Sequence, residues 1–443
     1  MLHGEGQGGG KQMTRTRYRW FVVFLLFAIT GVNYIDRAAI SYAIPAIQRD
    51  LGLSPADTGT VLGAFGLGYA LTTLFGGFAV DRYGARIVLT VAAILWSLSI
   101  GATALAGGFV VLYAARVLLG VSEGPNFPAL TGAVSRWLSP HERATALANA
   151  LFAVPLALAV GGPIVTQLLD WLDWRLTFAA LFVLSAAWVP LWYFLFRDDP
   201  AESRFVNASE LTHIRTSDPS VTAAPHAALK SWPEPGVLRT LLTNRTLLAN
   251  YWAFFVFGYF LFFFMTWLPS YLERKYGLNL QTVGLFTVLP WLSAALLLWL
   301  FGRWSDYLLK TTGRLRVARS WLIAGSQFVA ALAVIPVALT DNLTVAIAGI
   351  TVAVAASMGA NAAYYAVNVD IVPHRAATAL GIMDFAFAIA GFLAPAITGW
   401  VLNLRGSFAD GFLLMTALAL SSVLVVLLFH HPDRDQESLA AKA

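Results

Sequence analysis

The sequence contains no cysteine in 443 residues, and only 12% of them are charged. The missing thiols exclude disulfides, thiol chemistry and any thiolate metal site. Also absent is the G-x-x-x-x-G-K-[ST] loop that cradles nucleotide phosphates, which argues against ATP-driven work. Neither a nucleophile–base pair nor a metal cluster occurs along the apolar segments, so nothing points to an enzyme or to a bound cofactor. A soluble domain carries about 25% charged residues. With half that share and 58% hydrophobic residues, this chain is not a soluble globule. The N-terminus has no signal-peptide pattern, because its first apolar run is too long for an h-region and lacks an A-x-A-like site after it. The leading "MLHGEGQGGGKQ" reads as a disordered extension, and Met13 is an alternative start.

What is present instead is a series of apolar runs, each long enough to cross a bilayer. They predict spans at 20–47, 56–80, 87–107, 109–135, 144–169 and 176–196, then at 247–272, 281–302, 319–340, 343–372, 376–402 and 408–429. The expected fold is therefore an all-α membrane protein of twelve transmembrane helices. Residues 1–19 form an N-tail, 20–196 a first six-helix half, 197–246 a polar linker, 247–429 a second half, and 430–443 a C-tail. The formal charge of +5 needs no nucleic-acid partner. Lysine and arginine gather in alternate loops, while the opposite side holds only Arg49, Arg175, Arg274, Lys275 and Arg405. By the positive-inside rule both termini are expected in the cytoplasm, with the chain in the inner (plasma) membrane.

The two halves repeat. "PHERATAL" at Pro140 returns as "PHRAATAL" at Pro373, and the four-residue spacing of Gly77 and Asp81 returns at Gly302 and Asp306. Parallel repeats of six spans imply a pseudo-two-fold axis along the membrane normal and a central cavity between the halves. This is a transporter architecture, and a monomer suffices for it.

Charged residues inside the spans are the candidates for chemistry. From Trp20 to Ile35 the helix would run only about 24 Å, short of a ~30 Å hydrocarbon core, so Asp36 and Arg37 fall within the membrane. A charge at that depth costs at least ~2.5–3.5 kcal/mol and normally faces a protein interior or a wet cavity. Arg116 and Glu123, seven residues apart in the fourth span, share one helix face. Arg37 and Arg116 suit a carboxylate, since a guanidinium stays charged and forks onto it. Asp36 and Glu123 are desolvated acids able to exchange protons. A purely structural ionic network is the competing reading. On the tenth span Asn361, Tyr365 and Asn368 share a face, as cavity lining or as polar glue between helices.

The loop "GGFAVDRYGAR" fits the signature G-x-x-x-D-R-x-G-x-R/K, and by it the chain resembles the major facilitator superfamily. Gly77 is expected to let two helices approach closely, Asp81 to sit near a helix N-terminus, and Arg82, Gly84 and Arg86 to hold the cytoplasmic face. With Gly302 and Asp306 these form a conformational motif. Within that superfamily the chain resembles the anion:cation symporters, which include bacterial sugar-acid permeases. The resemblance rests on "NYIDR" with "IQRDLGLS", "AFGLGYALTTLFGG", "RVLLGVSEGPNFPA", "YFLFFFMTWLPSYL" and "DIVPHRAATALGIMDF". It implies that Asp36 and Glu123 carry protons, that Arg37 binds the anion, and that Tyr69 faces substrate. Asp384 departs from the pattern, because sugar-acid members commonly have asparagine there. The fifth span is apolar around Val154, where those permeases tend to carry an amide. An extra acid beside an apolar wall leaves room for a less hydroxylated carboxylate, an aromatic acid or a zwitterion.

The function expected from these residues is import of a small organic anion by proton symport with alternating access. The sequence leaves sodium open as the coupling ion. A proton-coupled efflux pump is the alternative within transport, and a non-transporting membrane sensor the alternative outside it.

Overall fold

The computed structural model describes residues 15–138, 140–216, 235–372 and 376–435, and all regular structure in them is helical. The first half comprises α1 (Tyr18–Leu51), α2 (Pro55–Ala104), α3 (Phe109–Glu123), α4 (Asn126–Trp137), α5 (Pro140–Leu151), α6 (Ala153–Trp171) and α7 (Trp174–Leu195). Two short linker helices follow, α8 (Ala208–Thr216) and α9 (Pro235–Thr243). The second half comprises α10 (Arg245–Tyr276), α11 (Leu280–Thr312), α12 (Trp321–Leu339), α13 (Leu343–Gly359), α14 (Asn361–Ile371), α15 (Ala376–Arg405) and α16 (Ala409–Phe429). Ten described stretches are helical, long and apolar enough to cross a membrane. The expected fourth span is split at Gly124–Pro125 into α3 and α4, each too short to cross alone.

Local chemistry punctuates both halves in the same way. Gly52 and Gly277 end α1 and α10 in the left-handed conformation (φ 64° and 65°), which costs glycine nothing. Two residues on, Ser54 and Asn279 cap α2 and α11, accepting from the N–H of Asp57 and of Thr282. The correspondence at the next junction was not anticipated. After α7, Asp198 accepts from Arg86 N–H (3.3 Å), just past the Gly84 kink in α2. After α16, Asp433 accepts from the N–H groups of Leu315 and Arg316 (2.6 and 2.8 Å), just ahead of α12. Each aspartate places negative charge at the start of a helical segment.

Several expected features take a different form. The expected "GGFAVDRYGAR" loop is helical except at Gly84 (φ 80°, ψ 156°). A Cβ on Gly84 would lie 2.7 Å from Asp198 Cγ, so glycine is required there twice over. Gly77, in contrast, has open space around it, and the close helix approach falls to Gly76, where a Cβ would meet Pro125 Cα at 2.9 Å. Gly302 and Asp306 lie within α11, which runs ten residues past the expected boundary before Gly313 ends it. The aromatic run of α10 is buried almost throughout, as interior packing. The described parts of the N-tail and linker pack against the first half. Glu210 of α8 is fully buried, pairing with Arg19 (2.9 Å), which also pairs with Glu142 (3.0 Å).

His430, the first residue of the expected C-tail, is fully buried just past α16, with Nδ1 2.6 Å from Ser320 Oγ. Burial pushes its imidazole down to about 3. A folded-state value below the unfolded one means that acid favours unfolding. This contribution is complete above about pH 6.5 and is lost as pH falls toward 3. Wild type is therefore expected to lose more thermal stability than His430→Asn between pH 7.5 and pH 5. Equal losses in a melting experiment would contradict this.

The two halves meet tightly at the end away from the termini. Gly59, Gly63 and Gly66 lie on one face of α2, and their backbone presses on α15. A Cβ on Gly59 would meet Pro395 O at 2.6 Å, and one on Gly63 would meet Phe392 O at 2.5 Å. One on Gly66 would overlap the backbone of Gly391 and Phe392. α6 and α11 touch likewise through Gly162 and Gly284. Three hydrogen bonds cross between the halves here: Tyr42 to Thr287 (3.0 Å), Gln281 to Asp170 (2.9 Å), and Arg274 to Gln48. Such small-residue stripes let backbones approach when lipid supplies no hydrophobic drive. Gly66→Leu should wedge this seal open. Overpacking costs about 1–3 kcal/mol, enough to raise labelling of a Thr287→Cys reporter by an impermeant maleimide about tenfold. The absence of native cysteine makes that reporter specific. Unchanged labelling would show that these contacts do not hold the seal.

Candidate functional site

Mid-way along α1 the sequence Asn33-Tyr34-Ile35-Asp36-Arg37 turns polar groups into the first half. Asp36 and Arg37 are 0% and 1% exposed, and α3 supplies Arg116 and Glu123, at 2% and 0%. Arg37 donates through Nε and Nη2 to the same Glu123 oxygen, at 3.0 and 2.7 Å. Nη2 also reaches Asn33 Oδ1, one turn back, at 3.2 Å. The rings of Tyr34 and Phe65 each lie 4.4 Å from the guanidinium carbon, and Tyr69 lies at 5.3 Å. Arg37 is thus a cation enclosed by three aromatic rings and one carboxylate. Arg116 lies 5.4 Å from the Phe65 ring.

Asp36 faces elsewhere. Its Oδ2 accepts from Ser185 Oγ of α7 at 2.5 Å. Adjacency in sequence rotates two helical residues by about 100°, and the two side chains take partners on different helices. The acid coupled to Arg37 is Glu123, not Asp36.

The cluster holds several buried polar atoms without a hydrogen-bond partner: Arg37 Nη1, Arg116 Nε and Nη2, Glu123 Oε1, Asp36 Oδ1, Asn33 Nδ2, and both amide atoms of Asn126. Buried polar groups ordinarily find partners, and orphans concentrated in one place call for an explanation. Arg116 keeps two donors unused beside a carboxylate-bound arginine.

The second half contributes fewer charges. Asp384 on α15 accepts a long hydrogen bond from Tyr365 on α14 (3.5 Å), and Tyr365 packs edge-on to Phe254 at 5.6 Å. Tyr365 is 39% exposed. Asn361, one turn before it, has a buried Oδ1 without a partner. Asn368, three residues past Tyr365 on the same helix, is fully buried, donating to Tyr364 O (2.9 Å) and contacting Met383 Sδ, and takes the second of the two expected roles, glue between helices. Trp252 likewise bonds Ser421 on α16 (3.2 Å). Val154 is buried.

The conformational motif lies apart from this cluster. The side chain of Asp81 lies outside the described residues. Arg82 is exposed, whereas Arg86 donates to Tyr193 O (3.0 Å) over that residue's ring. Asp306 pairs at 3.3 Å with Arg319, which also binds Asp370 (3.2 Å). The sequence reading missed Asn33, Phe65, Asn126 and Ser185. Asn33 was accessible from its i−4 spacing to Arg37, but no local signal marks Ser185. Among the described residues no group of three or more His, Asp or Glu is placed to hold a metal.

Residues 26–395 match the family model of the Major Facilitator Superfamily. The chain belongs to that superfamily. Membership makes it a transport protein and not an enzyme. It is 34% identical over 417 residues to the Hexuronate transporter of Bacillus subtilis, covering 93% of this chain and 94% of that one. It is 30% identical over 419 residues to the Probable sulfoacetate transporter SauU of Cupriavidus necator, covering 94% and 95%. Among solved structures, an inward-facing, unoccupied bacterial homolog of the human lysosomal transporter Spinster aligns over 96% of this chain and 98% of its own. The TM-score is 0.75 at 19% identity, a likeness of fold.

Proposed function

We propose that this superfamily member imports a small organic anion together with protons, by alternating access of twelve spans in two six-helix halves. The observation that carries the reading is the buried Arg37–Glu123 pair with unused donors of Arg37 and Arg116 beside it. While Glu123 is ionised it occupies the fork of Arg37. A proton on Glu123 removes that charge and frees the fork for a substrate carboxylate, with Arg116 as the second cation. Substrate and proton then favour each other's binding, which is the requirement of symport. Asp36, held by Ser185, serves as a second proton site. Tyr69, Asn361, Tyr365 and Asp384 line the cavity, and the motif from Gly77 to Arg86, with Gly302 and Asp306, governs the change of access. Relatives named for hexuronate and sulfoacetate support an organic acid as cargo. The protein works as a monomer in the inner membrane, both termini cytoplasmic.

The test is reconstitution into liposomes with a pH gradient, alkaline inside, and a panel of glucuronate, galactonate and sulfoacetate. At least one acid should accumulate and be released by a protonophore. Accumulation that ignores the protonophore and follows a sodium gradient would assign the coupling to sodium. No acid transported in either gradient would end the reading.

A further inference from the structure

The carboxylate of Asp384 has no cationic partner among the described residues, and its one hydrogen bond is the 3.5 Å contact from Tyr365. The first half presents the opposite pole, with two arginines and unused guanidinium donors. Tyr34 and Tyr69 connect the poles. Their rings lie 4.4 and 5.3 Å from the Arg37 guanidinium, and their hydroxyls lie within electrostatic reach of Asp384. The first half therefore presents a positive pole and the second half a negative one.

We propose that Asp384 receives the ammonium end of an amino-bearing carboxylate whose acid end is held by Arg37 and Arg116. This rests on the transport reading above and specifies its substrate class. A carboxylate without a cation in a membrane interior takes up either a proton or a positive charge, and a ligand ammonium supplies the latter where a hydroxyl cannot. The surroundings suit an ammonium in particular. Asp384 and the phenolic oxygens offer acceptors, Asn361 Oδ1 one turn away is an unused acceptor, and an ammonium has three donors and no acceptor. The rings of Tyr34, Tyr69 and Tyr365 add π-faces that attract cations. The class is thus an acid that also carries an amine, such as an ω-amino acid or an amino sugar acid.

The experiment measures binding to the purified full chain by calorimetry, using matched pairs that differ in one amine: 2-amino-2-deoxyglucuronate against glucuronate, and 5-aminovalerate against valerate. In wild type the amine should tighten binding of at least one pair by about thirtyfold, the order of effect for a buried charge pair. In Asp384→Asn the ratio of the two affinities within each pair should fall to about one. No advantage in wild type, or one that survives Asp384→Asn, overturns the proposal and leaves the transport reading standing. If neither member of any pair binds wild type and the acid panel is not transported, that reading fails as well. Should Asp384→Asn not fold, Asp384→Ser takes its place, and the wild-type comparison is decisive without either variant.

Discussion

Arg37→Lys is expected to reduce uptake of the transported acid to about one thirtieth of wild type or less, on the scale of a disrupted buried charge pair. Lysine preserves the charge and loses the geometry. In wild type two guanidinium nitrogens converge on one Glu123 oxygen at 3.0 and 2.7 Å, a third contact goes to Asn33, and the flat cation lies among three aromatic rings. An ammonium is a point donor on a flexible stem and reproduces neither the fork nor the stacking. The measurement is initial uptake in proteoliposomes, with melting temperature recorded beside it to separate loss of function from loss of fold. Uptake within about twofold of wild type would remove Arg37 from the substrate site and leave the pair with Glu123 as a structural tie.

The second large effect is expected at Glu123. Glutamine there keeps the shape of the side chain, removes the proton site, and releases the fork of Arg37 permanently. Binding of the acid should survive and lose its pH dependence, because Arg37 no longer waits for a proton. Accumulation should not survive. A gradient of one pH unit supports about tenfold concentration per coupled proton, and Glu123→Gln should bring that ratio to about one. Counterflow exchange should continue, since it requires reorientation with substrate bound and no net proton movement. A variant that still concentrates substrate against its gradient would show that Glu123 is not the coupling acid. Asp36 would then act alone or with Asp384.

Much of this protein was legible before any coordinates. Whether a segment enters the bilayer depends on some twenty consecutive side chains and needs no partner. Span positions therefore followed from hydropathy to within a few residues at most boundaries. The internal repeat was legible for a related reason, because a turn is specified by the residues at the turn. Gly77 and Gly302 disclosed it, and "GLS" at Gly52 with "GLN" at Gly277 repeats at the same offset, unnoticed until the caps of Ser54 and Asn279 were seen. That Asp36, Arg37, Arg116 and Glu123 are buried also followed from sequence, since charge at membrane depth must turn inward.

Which of them would meet was decided only by the tertiary structure. Arg37 and Glu123 are 86 residues apart, and Asp36 finds Ser185 at a separation of 149. Both pairings depend on how α1, α3 and α7 are rotated about their axes. Nothing within any one of those helices fixes that rotation. Lipid tails are as apolar as leucine, so burying hydrophobic surface does not choose the inward face, and small-residue contacts and a few buried polar groups choose it instead. The same reason explains Gly77, which stands in open space, and Gly84, whose place is filled by an aspartate 114 residues further along the chain.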